Sequence, residues 1–476
     1  LWYDEAFAIL FAAKGFNAML IGTLTPVQGA AADVHPIVYY TALNGWMQLV
    51  GQSPLAARLL SVFAGVLTVA VCYGVGRQLF GKGSALAGML IVAILPFQIY
   101  YGQEARMYAC LALFCALTIW FYLRALKREG VRGNWFNWFG LGVSAAAAMY
   151  MQNLAGVFLL MFGLSALPKP RVFAKVALSG AVAFGLWLPW FLNLPGQFAK
   201  LQQAYWVTRP NVLTLLQTVI VYHAGEELLE ARVMLPLALF VSLLLPLMLV
   251  VQLFKAGRDE TGRRAIWLLM LALGTPLLLF LVSLYQPVYI QRALLPAGLM
   301  YALGLGWLLW PPQRSSTTMP ALIRLLLASG LAGVVVLGQL AHYSFAQFPR
   351  PNFQKAIAYL QLHLESGDRI VHSNKLTYFP MYYYARDLPQ TFVADPLGSG
   401  SDTLALPTQQ VLGLFASPDV RTATQSARRV WFVIFAKAIA EFDPAPHPHL
   451  AWLGAHYQQQ SLDQFDDLLI YEFIAR

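Results

Sequence analysis

Long apolar runs separated by short loops leave this chain few folds to choose from. The runs lie at about 35–50, 56–79, 84–101, 105–123, 135–167, 173–192, 233–254, 266–285, 290–310 and 322–343. Crossing the hydrocarbon core as a helix takes about 20 apolar residues. Most runs reach that length. The 35–50 run is short, and 135–167 is too long for one span and is interrupted by Gln152 and Asn153, which reads as two short helices joined by a turn. The expected architecture is a polytopic α-helical membrane protein of about 11 spans. Only 11% of residues are Asp, Glu, Lys or Arg, against roughly 25% in soluble domains. The formal charge of +10 does not signal nucleic acid, because the basic residues are scattered through short loops. The cysteines, Cys72, Cys110 and Cys115, all lie in apolar runs and show neither a disulfide framework nor a zinc pattern.

Positive charge orients the bundle. Alternate loops carry Arg77 and Lys82; Arg124, Lys127, Arg128 and Arg132; Lys169, Arg171 and Lys175; Lys255, Arg258, Arg263 and Arg264; and Arg314. That side is expected to be cytoplasmic. The opposite loops hold fewer basic residues, Arg232 among them, and residues 1–34 fall with them on the outer side. A span preceding Leu1 is then expected, to bring the chain out. The 211–223 stretch is amphipathic and is expected to lie along the interface. From about residue 345 the apolar runs stop, and charges, prolines and glycines rise. The expected domains are therefore a transmembrane domain, 1–344, with an outer loop at 1–34, and a soluble extracytoplasmic α/β domain, 345–476. Within the second, 352–364 has helical periodicity, and 369–372, 429–435 and 468–474 read as strands.

Asp4 and Glu5 stand side by side among aromatic and aliphatic residues. Carboxylates beside a bilayer are expensive and commonly functional. The same outer face collects Asp33, His35, Arg58, Glu104, Arg106, Tyr108, Gln152, Asn153, His223, Glu226, Glu227, Tyr289 and Arg292. Singly, each has an ordinary explanation. Asp33 or His35 can cap a helix behind Pro36, and an isolated arginine can anchor at the interface. Glu104 and Arg106 are two apart, so in a helix they would not face each other. Gathered on one side, they point to a site at one membrane surface. A transporter would instead place ionisable groups near mid-membrane, on broken helices in repeated halves. A carboxylate can serve as general base, and arginines can take up charge on a departing phosphate. A lipid-phosphate leaving group would account for a site against the bilayer. Adjacent carboxylates do not flank a sugar as glycoside hydrolysis requires. No cofactor is called for with certainty; a divalent metal is the one candidate, at Glu104, His35 or His223.

The combination resembles the multi-span glycosyltransferases of the GT-C fold, specifically the protein O-mannosyltransferase and aminoarabinose-transferase group in its bacterial family 39-like form. The Glu104-Ala105-Arg106-Met107-Tyr108 run is the most specific match. Asp4-Glu5 matches the acidic pair of the family's first outer loop. His35-Pro36 keeps the first part of a His-Pro-Pro motif and lacks the second proline; Arg292-Ala293 keeps the arginine of a late Arg-Tyr pair and loses the tyrosine. The resemblance covers most of 1–343, and the tail looks like the family's periplasmic domain. It implies an enzyme transferring a hexosyl or pentosyl group, with inversion, from a polyprenyl-phosphate-linked donor to an acceptor hydroxyl on protein, lipid or glycan. It further implies Asp4 as catalytic base with Glu5 assisting, and a donor phosphate and sugar held by Arg58, Glu104, Arg106, Tyr108, Arg292 and His35. The implied location is the bacterial inner membrane, multi-pass, with the site and C-terminal domain facing the periplasm. The alternatives are a lipid or solute transporter and a non-catalytic cell-envelope assembly protein.

Overall fold

The structure is a computed structural model describing residues 1–203, 207–231, 235–256, 259–312, 319–395, 404–425 and 427–476. Arg232, Arg258 and Arg314, used above for topology, lie outside the described residues. The backbone forms two compact units: Leu1–Ala57, Asn193–Trp206 and Phe345–Arg476 make one, Arg58–Leu192 and Val207–Ser344 the other.

The second unit is the membrane bundle. Seven described helices are long and apolar enough to cross a bilayer: Pro54–Phe80, Tyr108–Lys127, Pro170–Phe191, Pro236–Ala256, Glu260–Tyr285, Gln291–Leu309 and Ala321–Ser344. Lys82–Ile94 and Pro96–Gly102 add an eighth if counted as one span bent by 60°. Pro96 supplies the break, since it lacks an N–H and pushes Leu95 into extended backbone. The eleven spans expected from hydropathy are thus not all matched by single long helices. The 135–167 run forms Trp135–Met151 and Ala155–Ser165, joined through Gln152, as its polar interruption required. The 35–50 run forms only the 13-residue helix Val38–Val50. The stretch expected along the interface is the helix Val212–Ala224, opened by a capping box between Asn211 and Thr214. Its last five residues, from Ile220, are buried instead, because Tyr222 packs on Phe97 and Tyr301, and His223 bonds Tyr301.

At the centre stands Leu295–Leu309, buried on every side from Leu295 to Leu308. Such enclosure needs small residues where neighbouring backbones come close. A Cβ added at Gly306 would lie 2.4 Å from the Gly88 nitrogen and 2.5 Å from its Cα, so backbone meets backbone there. No side chain can swing away to relieve that clash. Gly306→Val is therefore expected to lower stability by about 3 kcal/mol or more, read as a fall in melting temperature in detergent; an unchanged melting temperature would refute the close approach.

In the first unit, the C-terminal residues build a five-stranded sheet. Its strands, numbered after a short β1–β2 ribbon (Pro26–Val27, Ala30–Ala31), are β3 (Arg369–His372), β4 (Gln390–Phe392), β5 (Arg429–Phe435), β6 (Tyr457–Phe465) and β7 (Leu468–Ala475). The order is β4-β3-β5-β7-β6, with β3 parallel to β4 and β5 and the remaining pairs antiparallel. Helices Phe353–His363 and Lys375–Tyr384 cover one face through Ile357, Leu360 and Met381 against Ile370, Trp431 and Val433. The N-terminal helices belong to this unit: Tyr3 and Phe7 of Tyr3–Ala12 pack on Phe379, and Thr408 donates to the Gly22 carbonyl at 2.8 Å.

One ion pair pins this sheet. Arg429 Nε donates to both Asp368 oxygens, at 3.0 and 2.9 Å, and the Trp431 indole N–H and Glu365 backbone N–H reach Oδ2. Burial pushes the Asp368 carboxyl up, but these donors outweigh it and hold it below the usual aspartate range. A carboxyl lowered in the folded state stabilises the fold above its unfolded value, and that contribution is lost as pH falls through the lowered value. Asp368→Asn is expected to cost about 2 kcal/mol at neutral pH, since Arg429 loses its most buried partner and keeps Glu365 and Glu472. Thermal unfolding of the full chain should show that deficit shrinking below about pH 4; a deficit independent of pH would contradict the charge-based origin.

Candidate functional site

Residues 104–108 are the hinge of the candidate site in the membrane bundle. The chain leaves Pro96–Gly102, turns tightly with the Arg106 N–H donating to the Glu104 carbonyl at 2.7 Å, and enters Tyr108–Lys127. This turn is buried: Glu104 is 4% and Arg106 2% exposed. Charges so enclosed hold their form only among other polar groups, and the neighbouring elements provide them.

Pro54–Phe80 reaches the turn along one face. Ser61 Oγ donates to the Arg106 carbonyl at 3.1 Å, and a Cβ at Gly65 would lie 3.7 Å from Gly102 Cα. Arg58 lies one turn before Ser61 on that face, by the i, i+3 spacing of a helix. The 3-10 turn Gln291–Leu294, ahead of the central helix, carries Arg292, whose guanidinium sits 5.3 Å from the Tyr108 ring centroid. Tyr101 stacks edge-on against Tyr108 at 5.1 Å, and its hydroxyl donates to Glu226 at 2.9 Å. Next to this, His342 Nδ1 meets Glu227 at 3.0 Å, both buried, and packs on Tyr100. The structure thus gathers Glu104, Arg106, Tyr108 and Arg292, with Arg58 on the approaching helix face.

The cluster occupies one end of the bundle and the basic loops the other. Pro54–Phe80 and Tyr108–Lys127 both start at the cluster, and Arg77 and Lys127 close them at the far end. Arg264, near the start of Glu260–Tyr285, donates to the Gln78 and Leu79 carbonyls there. Within this unit, the 104–108 cluster and the basic residues Arg77, Lys127 and Arg264 thus lie at opposite ends of the same helices.

His223 is fully buried, its Nε2 engaged by Tyr301 at 3.1 Å. Among the described residues, no group of three or more His, Cys, Asp or Glu is placed to hold a metal ion. Sequence reasoning did not single out Tyr100, Tyr101 or His342. Paired tyrosines just before a charged turn, and a histidine in the last turn of a span, were the available signals.

Of the remaining sequence-derived residues, Asp4, Glu5, Asp33 and His35 belong to the first unit, and Gln152, Asn153 and Tyr289 to the second. Asp4 and Glu5 occupy the first turn of Tyr3–Ala12, where backbone N–H groups have no intrahelical acceptor. Asp4 is half-buried; Glu5 is 1% exposed. Asp33 Oδ1 accepts from the backbone N–H groups of Val34 and His35 and meets His35 Nδ1 at 2.8 Å. This turn stands where a cap was expected; Val38–Val50 begins without a side-chain cap. Tyr39 and Tyr40 are buried, and Tyr40 packs on Phe7 and Phe11.

Residues 34–192 match the family model described as dolichyl-phosphate-mannose-protein mannosyltransferase. Among solved structures, the chain is similar to ArnT from Cupriavidus metallidurans in the apo state, at 13% identity and a TM-score of 0.62, covering 98% of this chain and 93% of that one. The same protein bound to undecaprenyl phosphate aligns at 14% identity and a TM-score of 0.59, covering 99% and 92%. The archaeal oligosaccharyltransferase AglB from Archaeoglobus fulgidus, in complex with an inhibitory peptide and a dolichol-phosphate, aligns at 10% identity and a TM-score of 0.51, covering 96% and 69%. Comparison with the curated proteins gives no match. Identities this low speak for the fold, and the family match for its 34–192 stretch. With spans, cluster and sheet in place, the chain is a multi-pass membrane protein of the GT-C glycosyltransferase fold.

Proposed function

We propose that this protein transfers a sugar from a polyprenyl-phosphate-linked donor to an acceptor hydroxyl at the outer face of the membrane, with inversion at the anomeric carbon. The observation that carries the reading is the Glu104, Arg106, Tyr108 and Arg292 cluster at the end of the bundle away from the basic loops. Bound undecaprenyl phosphate in the ArnT relative supports the donor class. By the positive-inside rule the cluster faces the periplasm, and residues 345–476 form an extracytoplasmic domain.

In this reading Asp4 accepts the proton of the acceptor hydroxyl, with Glu5 assisting. The freed oxygen attacks the anomeric carbon as the bond to the phosphate oxygen breaks, and the lipid phosphate leaves with the electron pair. It departs with one more negative charge than it carried as a diester, and Arg58, Arg106 and Arg292 neutralise that charge as it develops. Glu104, Tyr108 and His35 orient the sugar. The test uses purified full chain with a panel of polyprenyl-phosphate-linked hexoses and pentoses. Release of polyprenyl phosphate together with a glycosylated acceptor of inverted anomeric configuration is expected. Donors left intact throughout the panel, or retained configuration, would overturn the reading.

A further inference from the structure

A second feature of the bundle is independent of the sugar-transfer reading. At the basic end lies a cavity of about 1250 Å³, one helix length from Tyr108 along Tyr108–Lys127. Among the described residues, seven basic side chains line it and a single carboxylate, Glu260, which Arg264 engages. Two of the seven build the wall. Arg264 holds the Gln78 and Leu79 carbonyls, and the Arg124 guanidinium lies 4.5 Å from the Trp120 ring centroid. The floor is aromatic: Tyr122 stacks on Trp267 at 5.7 Å, and the Trp267 indole donates to Ser165 at 2.9 Å. The other five, Arg77, Lys127, Arg128, Lys169 and Arg263, have no ion-pair partner among the described residues. Nearby carboxylates are taken, Glu129 by Lys175 and Asp259 by the helix start at Gly262.

The positive-inside rule accounts for basic residues in loops. It does not account for five exposed cations converging on one half-open cavity whose own carboxylate is already engaged. We propose that this cavity binds a phosphate-bearing anion. Arginine forks and lysines hold phosphate oxygens, and the aromatic floor suits whatever the phosphate is attached to. Two sources share this chemistry: the headgroup of an anionic lipid in the adjacent leaflet, and a soluble phosphate compound.

The experiment places the full chain in nanodiscs of phosphatidylcholine with or without phosphatidylglycerol, and separately adds inorganic pyrophosphate. Lipid retention is read by native mass spectrometry and pyrophosphate binding by thermal shift. The variant Lys127→Gln/Arg263→Gln leaves the other cavity cations to keep topology. The control, Arg132→Gln/Arg171→Gln, removes equal charge from the basic connections at the same end of the bundle, outside the cavity lining. Binding is expected to weaken about tenfold in the cavity variant and to hold in the control. Phosphatidylglycerol retention alone assigns the lipid headgroup; a pyrophosphate shift alone assigns the soluble compound. Equal binding by wild type and cavity variant, or an equal loss in the control, overturns the proposal.

Discussion

The Asp4→Asn substitution is expected to lower the rate of sugar transfer by about two to four orders of magnitude while leaving thermal unfolding unchanged. The amide keeps the size of the carboxylate and cannot take the acceptor proton. Asp4 is half-buried at the start of Tyr3–Ala12, so the exchange removes no packed core atoms. Glu5 is the contrast. It is enclosed beside Ala6 and Phe7, and Glu5→Gln should move the melting temperature as well as the rate. Initial rates of polyprenyl-phosphate release, with melting curves for both variants, check this. Full activity in Asp4→Asn would remove Asp4 as the base.

Arg292→Gln is expected to cost about a hundredfold in kcat, because on the proposed reading the charge it neutralises develops as the lipid phosphate departs. Arg292→Lys should recover part of the loss, since the charge returns without the planar fork. Substituting Tyr108 by Leu should cost less, removing the ring under the guanidinium and not the cation itself. On the proposed reading Asp4 and Arg292 act in one transition state, and their losses should then be non-additive: the double variant should fall little below the worse single. Steady-state kinetics on these five variants, Asp4→Asn included, decides this. An Arg292→Gln enzyme with kcat intact and only KM raised would assign the arginine to ground-state binding instead.

Some of this was legible in the chain because the bilayer simplifies the physics. Runs of about 20 apolar residues have one cheap conformation there, so most spans could be read directly; the break at Pro96 was not, and 84–101 read as one span. Strands β3, β5 and β7 were also readable, as β-branched and aromatic runs bounded by turns. The short Val38–Val50 helix misled because hydropathy does not say whether an apolar face meets lipid or protein. Val212–Ala224 misled for the same reason: its amphipathic spacing hid a terminus packed on Phe97 and Tyr301. Within the site, Arg292 and the 104–108 turn stood out as charges in apolar surroundings. Tyr101 and His342 did not, because tyrosine and histidine near a span end are ordinary interface residues until a contact such as Tyr101–Glu226 gives them a partner.

The helix behind Arg292 has protein on every side from Leu295 to Leu308, with glycine backbone pressed to glycine backbone at its far end. A post gripped in this way cannot slide or tilt without emptying the middle of the molecule. On the proposed reading, backbone travel of Arg292 as a ligand arrives and departs then falls to the turn Gln291–Leu294 and not to the helix behind it. Stiffening that turn would arrest the gesture while leaving the mast upright.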